Sequence, residues 1–325
     1  MTFLGDVFLQ RKYNVDVALE NMIFNLEYPL STEGIPAKGK INLGSDAPGN
    51  ILKTFGKFPV AVNLANNHIM DYGEAAFQKT IAFLESNNIK YFGAGNEHNN
   101  FNNPCILDTE NRKLALFGYS CPSTHAVFGG DASNGSAKID VARIADEIQD
   151  YTDDHFVIAV FHWGEEEISY PKPTDISIAH QLIDSGVDLI VGHHAHVMQS
   201  VEVYKGKHIF YGIGNFIFPD FDMPAYFDGN GFQKRFAKTQ QRNNRQSIVV
   251  TLDDEMQVDF FTVVDRDGTI VKRSVNVPKW LPGTNYSYNL YKNYHQRKGT
   301  LSRFLKNPRF PSVSQVKTFL GMQND

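Results

Sequence analysis

The chain has 325 residues, 42% of them hydrophobic and 21% charged, a balance that places it among ordinary globular proteins able to bury a core without covalent staples. Its formal net charge of −5 at pH 7 excludes the basic footprint of a nucleic-acid binder. No apolar run is long enough for a membrane-spanning helix, and two cysteines make no disulfide framework.

Residues 1–4 are a short apolar run that reads as a first strand, and Asp6 stands where it stops. Residues 14–21 read as a short helix. The run Met22-Ile23-Phe24 reads as a second strand that ends in the polar residues Asn25 and Glu27, and a second short helix is expected over 49–57. Residues 60–65, apolar but for Asn63, read as a strand, and they lead into Asn66-Asn67-His68. Ala76, Ile81, Phe83 and Leu84 supply the apolar stripe of a helix over 72–88. With a strand at 90–92 this makes a β-α-β crossover, expected to be right-handed.

Residues 114–119 are another apolar strand. Cys105 and Cys121 lie across an expected hairpin and are read as reduced, half-buried thiols. Residues 129–135, rich in Gly, Asp, Ser and Asn, read as a loop and a candidate lid. Amphipathic helices over 139–151 and 174–185 flank the strand 156–161, which ends in His162; Gly186 suits the position just past the second helix. The buried run 187–191 then ends in Gly192-His193-His194-Ala195-His196. Three imidazoles within four residues are hard to account for as packing, because buried histidine needs hydrogen-bond partners. On a tight turn they can converge on one point, and imidazole is the commonest metal ligand; a solvated polar loop is the plainer alternative. Five strand-like runs thus end in Asp, Glu, Asn or His, and in α/β sheets ligands gather at strand carboxyl ends.

Beyond Gly192 the pattern changes to alternating strands. Hairpins are expected at 201–204 with 208–211, at 246–252 with 257–264, and around Asp267-Gly268. Residues 221–245 look like a long polar and aromatic insertion with few strand signals. From Leu281 the composition turns basic, with Lys292, Arg297, Lys298, Arg303, Lys306, Arg309 and Lys317 against the single acid Asp325. The expected division is therefore a domain over 1–280 and a basic extension over 281–325. That extension is read as a helix pair docked on the acidic body, with a membrane surface, polyanion or partner chain as alternative contacts. The start lacks a basic segment and a hydrophobic leader before Asp6, so a cytoplasmic location is expected, or an anchored extracytoplasmic one if a preceding segment has been removed.

Six motifs, in order, carry a family resemblance: GDV at 5–7, NLEYPL at 25–30, NNHIMDYG at 66–73, HWGEE at 162–166, GHHAHVMQ at 192–199 and YGIGNFIF at 211–218. They cover about the first two thirds of the chain, which resembles the bacterial poly-γ-glutamate capsule-synthesis (CapA-type) family, itself similar to calcineurin-like metallophosphoesterases. The resemblance implies an α/β fold, a four-layer α/β/β/α sandwich with mixed sheets. It also implies metal-dependent hydrolysis of a phosphoester in capsule or extracellular polymer synthesis. Many members carry an N-terminal membrane anchor. The rivals are metal-assisted chemistry at a γ-glutamyl amide and a non-catalytic accessory role in a polymer synthase, since function lives in the site and not in the fold.

By resemblance, Glu27 bridges two divalent ions, Mn, Zn or Fe. Asp6 and His196 hold one ion, and Asn67, His162 and His194 hold the other. His68 is the catalytic candidate, placed beside Asn67 to act on a leaving oxygen, with Asp71 orienting its imidazole; a helix-capping role is the alternative for this pair. His193, Glu166 and Asn215 are candidate substrate contacts. Against that stand, for His193, orienting a neighbour or facing solvent; for Glu166, a surface acid; for Asn215, a turn. The wider metallophosphoesterases carry a histidine where this chain has Phe8, and an aspartate where it has Asn25 and Glu27. The first metal site is thus one ligand poorer, and a single ion is the alternative to two. The expected partners are a small-molecule or polymer-precursor substrate and the proteins of a capsule-synthesis complex, with no nucleic acid.

Overall fold

Alternate residues along the first strands bury against different neighbours, as a pleat of period two requires. In a computed structural model, which describes residues 1–98, 101 and 104–306 (for 298–306 the backbone only), these strands build two large mixed sheets. The strands are β1 Thr2–Val7, β2 Asn14–Asp16, β3 Met22–Leu26, β4 Ala61–Asn63, β5 Lys90–Phe92, β6 Ala94–Gly95, β7 Cys105–Asp108, β8 Lys113–Ser120, β9 Gly135–Ser136 and β10 His155–His162. They continue as β11 Leu189–His193, β12 Val201–Tyr204, β13 Lys207–Phe210, β14 Asn215–Ile217, β15 Phe221–Phe227, β16 Phe232–Lys238, β17 Gln246–Leu252, β18 Val258–Arg266 and β19 Thr269–Lys272. The α-helices are α1 Asn50–Phe55, α2 Gly73–Ser86, α3 Val141–Glu147, α4 Pro173–Asp184 and α5 Asn285–Lys306.

The first sheet runs β2-β19-β18-β17-β1-β3-β4-β5, with β14 also paired to β1; the second runs β12-β13-β11-β10-β8-β7. The central strands of both are parallel, as the buried apolar runs lead one to expect. Phe3, Ile23 and Ile248 of the first sheet share one apolar cluster with Leu116, Ile158 and Leu189 of the second. The alternate residues Leu4, Phe24 and Val62 pack with Ile51 and Phe77 of α1 and α2. Phe117, Val157 and Ile190 pack with Ile144 and Leu182 of α3 and α4. Strand ends on both sheets are thereby brought to one side of a shared core.

Two expectations fail. Residues 14–21 hold no helix; Asn14–Asp16 is an edge strand lying parallel to β19, and Val15 and Val17 belong to a period-two pattern. Nor is 221–245 an irregular insertion: β15 and β16 form a hairpin of which most residues are exposed or half-buried. The glycine-rich loop is tied down where it ends, by Ser136 Oγ donating to the Asn66 carbonyl at 2.7 Å and Asn134 Nδ2 to Glu74 at 2.6 Å. Cys105 and Cys121 are free thiols; Cys105 lies opposite Leu116, not Cys121, in the β7–β8 hairpin.

The chain divides into a unit at Met1–Leu281 and a second beginning at Pro282, whose described element is α5. Arg309, Lys317, Asp325 and the second member of the expected helix pair lie outside the described residues. Among those described, no helix is long and apolar enough to cross a membrane.

One buried acid gives the body a signature in pH. Asp175, in the first turn of α4, is 2% exposed, and among the described residues its Oδ2 has no hydrogen-bond partner. Burial pushes its carboxyl up from 3.8 to about 6. A folded-state value above the unfolded one favours the protonated form, so the stability it contributes is present at low pH and is lost as pH rises towards and through 6. Asp175→Asn is therefore expected to stabilise the protein by about 1–3 kcal/mol at pH 7.5, with the gain vanishing near pH 3.5. Urea unfolding at the two pH values checks it; a destabilised variant at pH 7.5 would show that the ionised carboxylate is compensated.

Candidate metal centre

Strand register aligns the polar ends. Asp6 lies opposite Asn25 of β3 and opposite Asn215 of β14, while His162 of β10 lies opposite His193 of β11. Glycines permit this approach: a Cβ on Gly5 would stand 1.9 Å from the Gly214 carbonyl oxygen, and one on Gly192 2.0 Å from that of Tyr211. Past β11 the chain turns sharply, and His194 and His196 take left-handed backbone angles, φ 86° and 56°. Such angles cost a non-glycine residue about 1–3 kcal/mol each and persist where the surroundings impose them. Here Asn244 Nδ2 donates to the His196 carbonyl at 3.2 Å.

The turn brings both histidines onto the strand ends. His194 Nδ1 is 3.1 Å from His162 Nε2, which is 2.8 Å from Asn67 Oδ1 and 3.7 Å from Glu27 Oε1. On the other side His196 Nδ1 is 2.9 Å from Asn215 Oδ1 and 3.3 Å from Asp6 Oδ2, and its Nε2 is 3.5 Å from the same Glu27 Oε1. Glu27 thus belongs to two triads able to hold a cation, one with His162 and His194 and one with Asp6 and His196. All five are buried. Asp6, Glu27, Asn67, His162, His194 and His196 are therefore brought together in one place.

The electrostatics suit a cation. Against the cost of burial, hydrogen bonds and charge from His193 and His196 hold Asp6 well below the usual carboxylate range. Burial, then the negative charge of Asp6, pushes Glu27 well above it. Burial also keeps His162 and His194 neutral, the latter lowered to about 3, each with help from a neighbouring imidazole's charge. Among the described residues no Lys or Arg forms an ion pair with Asp6 or Glu27, and Asp6 Oδ2 and Glu27 Oε1 are buried without a hydrogen-bond partner. Two carboxylates with orphaned oxygens, the neutral imidazoles of His162 and His194, and the ring of His196 beside them are the donor set of a divalent ion of borderline softness.

The remaining candidates surround this core. His193 is 2% exposed, with Nδ1 3.0 Å from Asp6 Oδ1; it faces a neighbour and not solvent. Asn215 is buried against His196. Glu166 is exposed, 3.9 Å from Lys238 of β16. His68 Nδ1 lies 2.6 Å from Asp71 Oδ2, and Asp71 also accepts from the Leu43 amide at 2.7 Å. Phe8 packs edge-on to Tyr28 with a centroid distance of 5.1 Å and offers no ligand atom.

Two residues escaped the sequence reading as site members. Lys40 pairs with Asp71 and donates to the Asn67 carbonyl; it sits on an irregular loop, and nothing in its neighbourhood marks it. Asn25 is the hub: its Nδ2 donates to Asp6 Oδ1 at 2.8 Å, and its Oδ1 accepts from Asn63 and Asn66, each at 3.2 Å. Three asparagines at neighbouring strand ends were the available signal. Asn25→Leu is expected to destabilise metal-free protein by about 2–4 kcal/mol, the cost of stranding buried donors and an acceptor; chemical denaturation measures it, and a loss under about 0.5 kcal/mol would show the network to be dispensable.

Residues 2–220, more than half of the chain, match the family described as bacterial capsule synthesis protein PGA_cap. The chain belongs to that family. Among similar proteins, it is 29% identical over 243 residues to the Capsule biosynthesis protein CapA of Bacillus anthracis, covering 67% of this chain and 59% of that one. It is 31% identical over 161 residues to the PGA biosynthesis protein CapA of Bacillus subtilis, covering 48% and 42%. A probable polyglutamine synthesis accessory protein of Mycobacterium tuberculosis is 28% identical over 218 residues, covering 62% and 56%. The chain thus spans less than two thirds of the length of these relatives. Among solved structures, a hypothetical protein from Thermus thermophilus matches 83% of this chain and 95% of its own, with 13% identity and a TM-score of 0.40. The NAD nucleotidase of Haemophilus influenzae matches 75% and 46%, with 13% identity and a TM-score of 0.35.

Proposed function

We propose that this member of the PGA_cap family is a metal-dependent hydrolase of phosphoesters, acting in capsule or extracellular polymer synthesis alongside the proteins of that assembly. The observation that carries the reading is Glu27 Oε1, which faces His162 on one side and His196 on the other at 3.7 and 3.5 Å. The three apolar clusters support a four-layer α/β/β/α reading of the body, with the site between the strand ends of its two sheets. Asp6, Glu27 and His196 would hold one divalent ion, and Glu27, Asn67, His162 and His194 a second. Bound there, such ions supply activation of water and neutralisation of charge on phosphoryl oxygens.

The chain's own residues do the positioning. Asn25 and His193 fix Asp6, and Asn215 fixes His196. Asp71, itself steadied by Lys40, accepts from His68 Nδ1 and leaves Nε2 without a partner among the described residues, so that the protonated ring can give its Nε2 proton to a leaving oxygen. Burial lowers the His68 value despite the opposing pull of Asp71, so the protonated ring is a stronger acid than a free imidazolium and gives its proton up more readily.

The names of the relatives favour a second reading, water attack on a γ-glutamyl amide, and that of the mycobacterial relative an accessory role. Full-length protein loaded with Mn²⁺ or Zn²⁺ separates them on aryl phosphate mono- and diesters and γ-glutamyl peptides. Hydrolysis of a phosphoester is expected. Cleavage of γ-glutamyl peptides alone would establish the amide reading, and inertness on both the accessory one.

A further inference from the structure

A cavity of about 860 Å³, lined by none of the candidate ligands, lies between the turn at residues 242–245 and the segment that follows β19. Arg242, Arg245 and Arg273 line it, with Val264 and Val275 as apolar lining and Asp265 as its one acid. Arg245 is committed to structure: its guanidinium reaches Asp265 at 3.1 Å, Asp220 at 2.8 Å and the Gln240 carbonyl at 3.3 Å. Arg242 and Arg273 are different. Both are exposed, and among the described residues neither makes an ion pair. They come from separate walls, and both walls are braced. The Arg273 amide donates to the Thr262 carbonyl at 2.9 Å, and the Val275 amide to Thr262 Oγ1 at 3.0 Å. The turn opposite is held by Arg245 and by the reciprocal bonds of Gln241 and Asn244.

We infer that this cavity is a second ligand site, for a small molecule carrying at least two oxyanion groups. Two uncommitted guanidinium forks on preformed walls suit phosphate or carboxylate oxygens, each fork able to donate a pair of hydrogen bonds. The volume lies within the range of small-molecule pockets, and the apolar residues offer a surface to the ligand's body. Net negative charge on the chain makes a nucleic acid the wrong occupant for so local a cationic spot.

The site is wired to the metal centre. Asn244, on the same turn as Arg242 and 3% exposed, donates to the carbonyl of His196. A ligand that tightens the turn therefore steadies the left-handed residue that carries a candidate metal ligand.

Pyrophosphate and tricarballylate, titrated calorimetrically into full-length protein, test this and separate a phosphate from a carboxylate ligand. Saturable binding of either is expected, weakened about tenfold or more in Arg242→Ala and again in Arg273→Ala, and retained in Glu27→Ala. Retention in Glu27→Ala keeps the outcome independent of any catalytic reading. Binding that survives both arginine substitutions, binding abolished by Glu27→Ala alone, or no saturable binding of either probe would overturn it. Circular dichroism melts of the arginine variants, expected to match the parent, confirm that lost binding is not lost fold.

Discussion

Glu27→Ala is expected to remove phosphoester hydrolysis to the level of background and to lower the metal content of the protein from two ions to one or none, while the fold persists. The expectation follows from position. Glu27 is the acid common to both triads, its Oε1 within 3.7 Å of His162 and 3.5 Å of His196. Its side chain lies at a strand end beyond the apolar core, so truncation opens a small polar gap and costs little packing. Removing Glu27 also removes a buried acid whose ionised form both burial and Asp6 disfavour, so metal-free protein should be no less stable and can be more so. Elemental analysis, a melting curve and an aryl phosphate assay on one preparation decide it. Full activity with unchanged metal would remove Glu27 from the chemistry.

His68→Ala is expected to lower turnover by about 10²–10⁴-fold, the span of a positioned proton donor or acceptor, with metal content unchanged. His68 is set apart from the two triads: its partner is Asp71 at 2.6 Å, and that carboxylate is held in turn by Lys40 and the Leu43 amide. Because burial lowers the imidazole's value, activity that needs the protonated ring as donor should begin to fall at a lower pH than an exposed histidine would give. The alkaline limb that it sets is expected below the ordinary value of 6.5. Steady-state kinetics against pH, on parent and variant, measure both effects. Loss of metal together with activity would make His68 a support of the centre and not a participant.

What could be read from the sequence follows local physics. The apolar runs before Asn66, His162 and Gly192 are buried parallel strands whose signal is continuous in the chain, and the polar residues at their ends converge because sheet register aligns ends. The turn at His193–His196 was legible for the same reason. Asn14–Asp16 was not: its partner strand begins at Thr269, and no local window contains that pairing. The β15–β16 hairpin buries little of itself, so Pro224 and the charges of Lys234, Arg235 and Lys238 hid its alternation. Within the site, Asn25 was visible as a polar strand end, but its bonds to Asp6, Asn63 and Asn66 are tertiary. Lys40 was invisible because its reach to Asp71 crosses a loop of no fixed pattern.

Two-metal chemistry in this protein requires that Glu27 stand between two cation sites. Anomalous scattering from crystals of the full-length protein equilibrated with Mn²⁺ tests it most directly. Two peaks are expected flanking the Glu27 carboxylate, one beside Asp6 and His196 and the other beside His162, His194 and Asn67. No peak among these residues, or a single one that leaves Glu27 without contact, would contradict it.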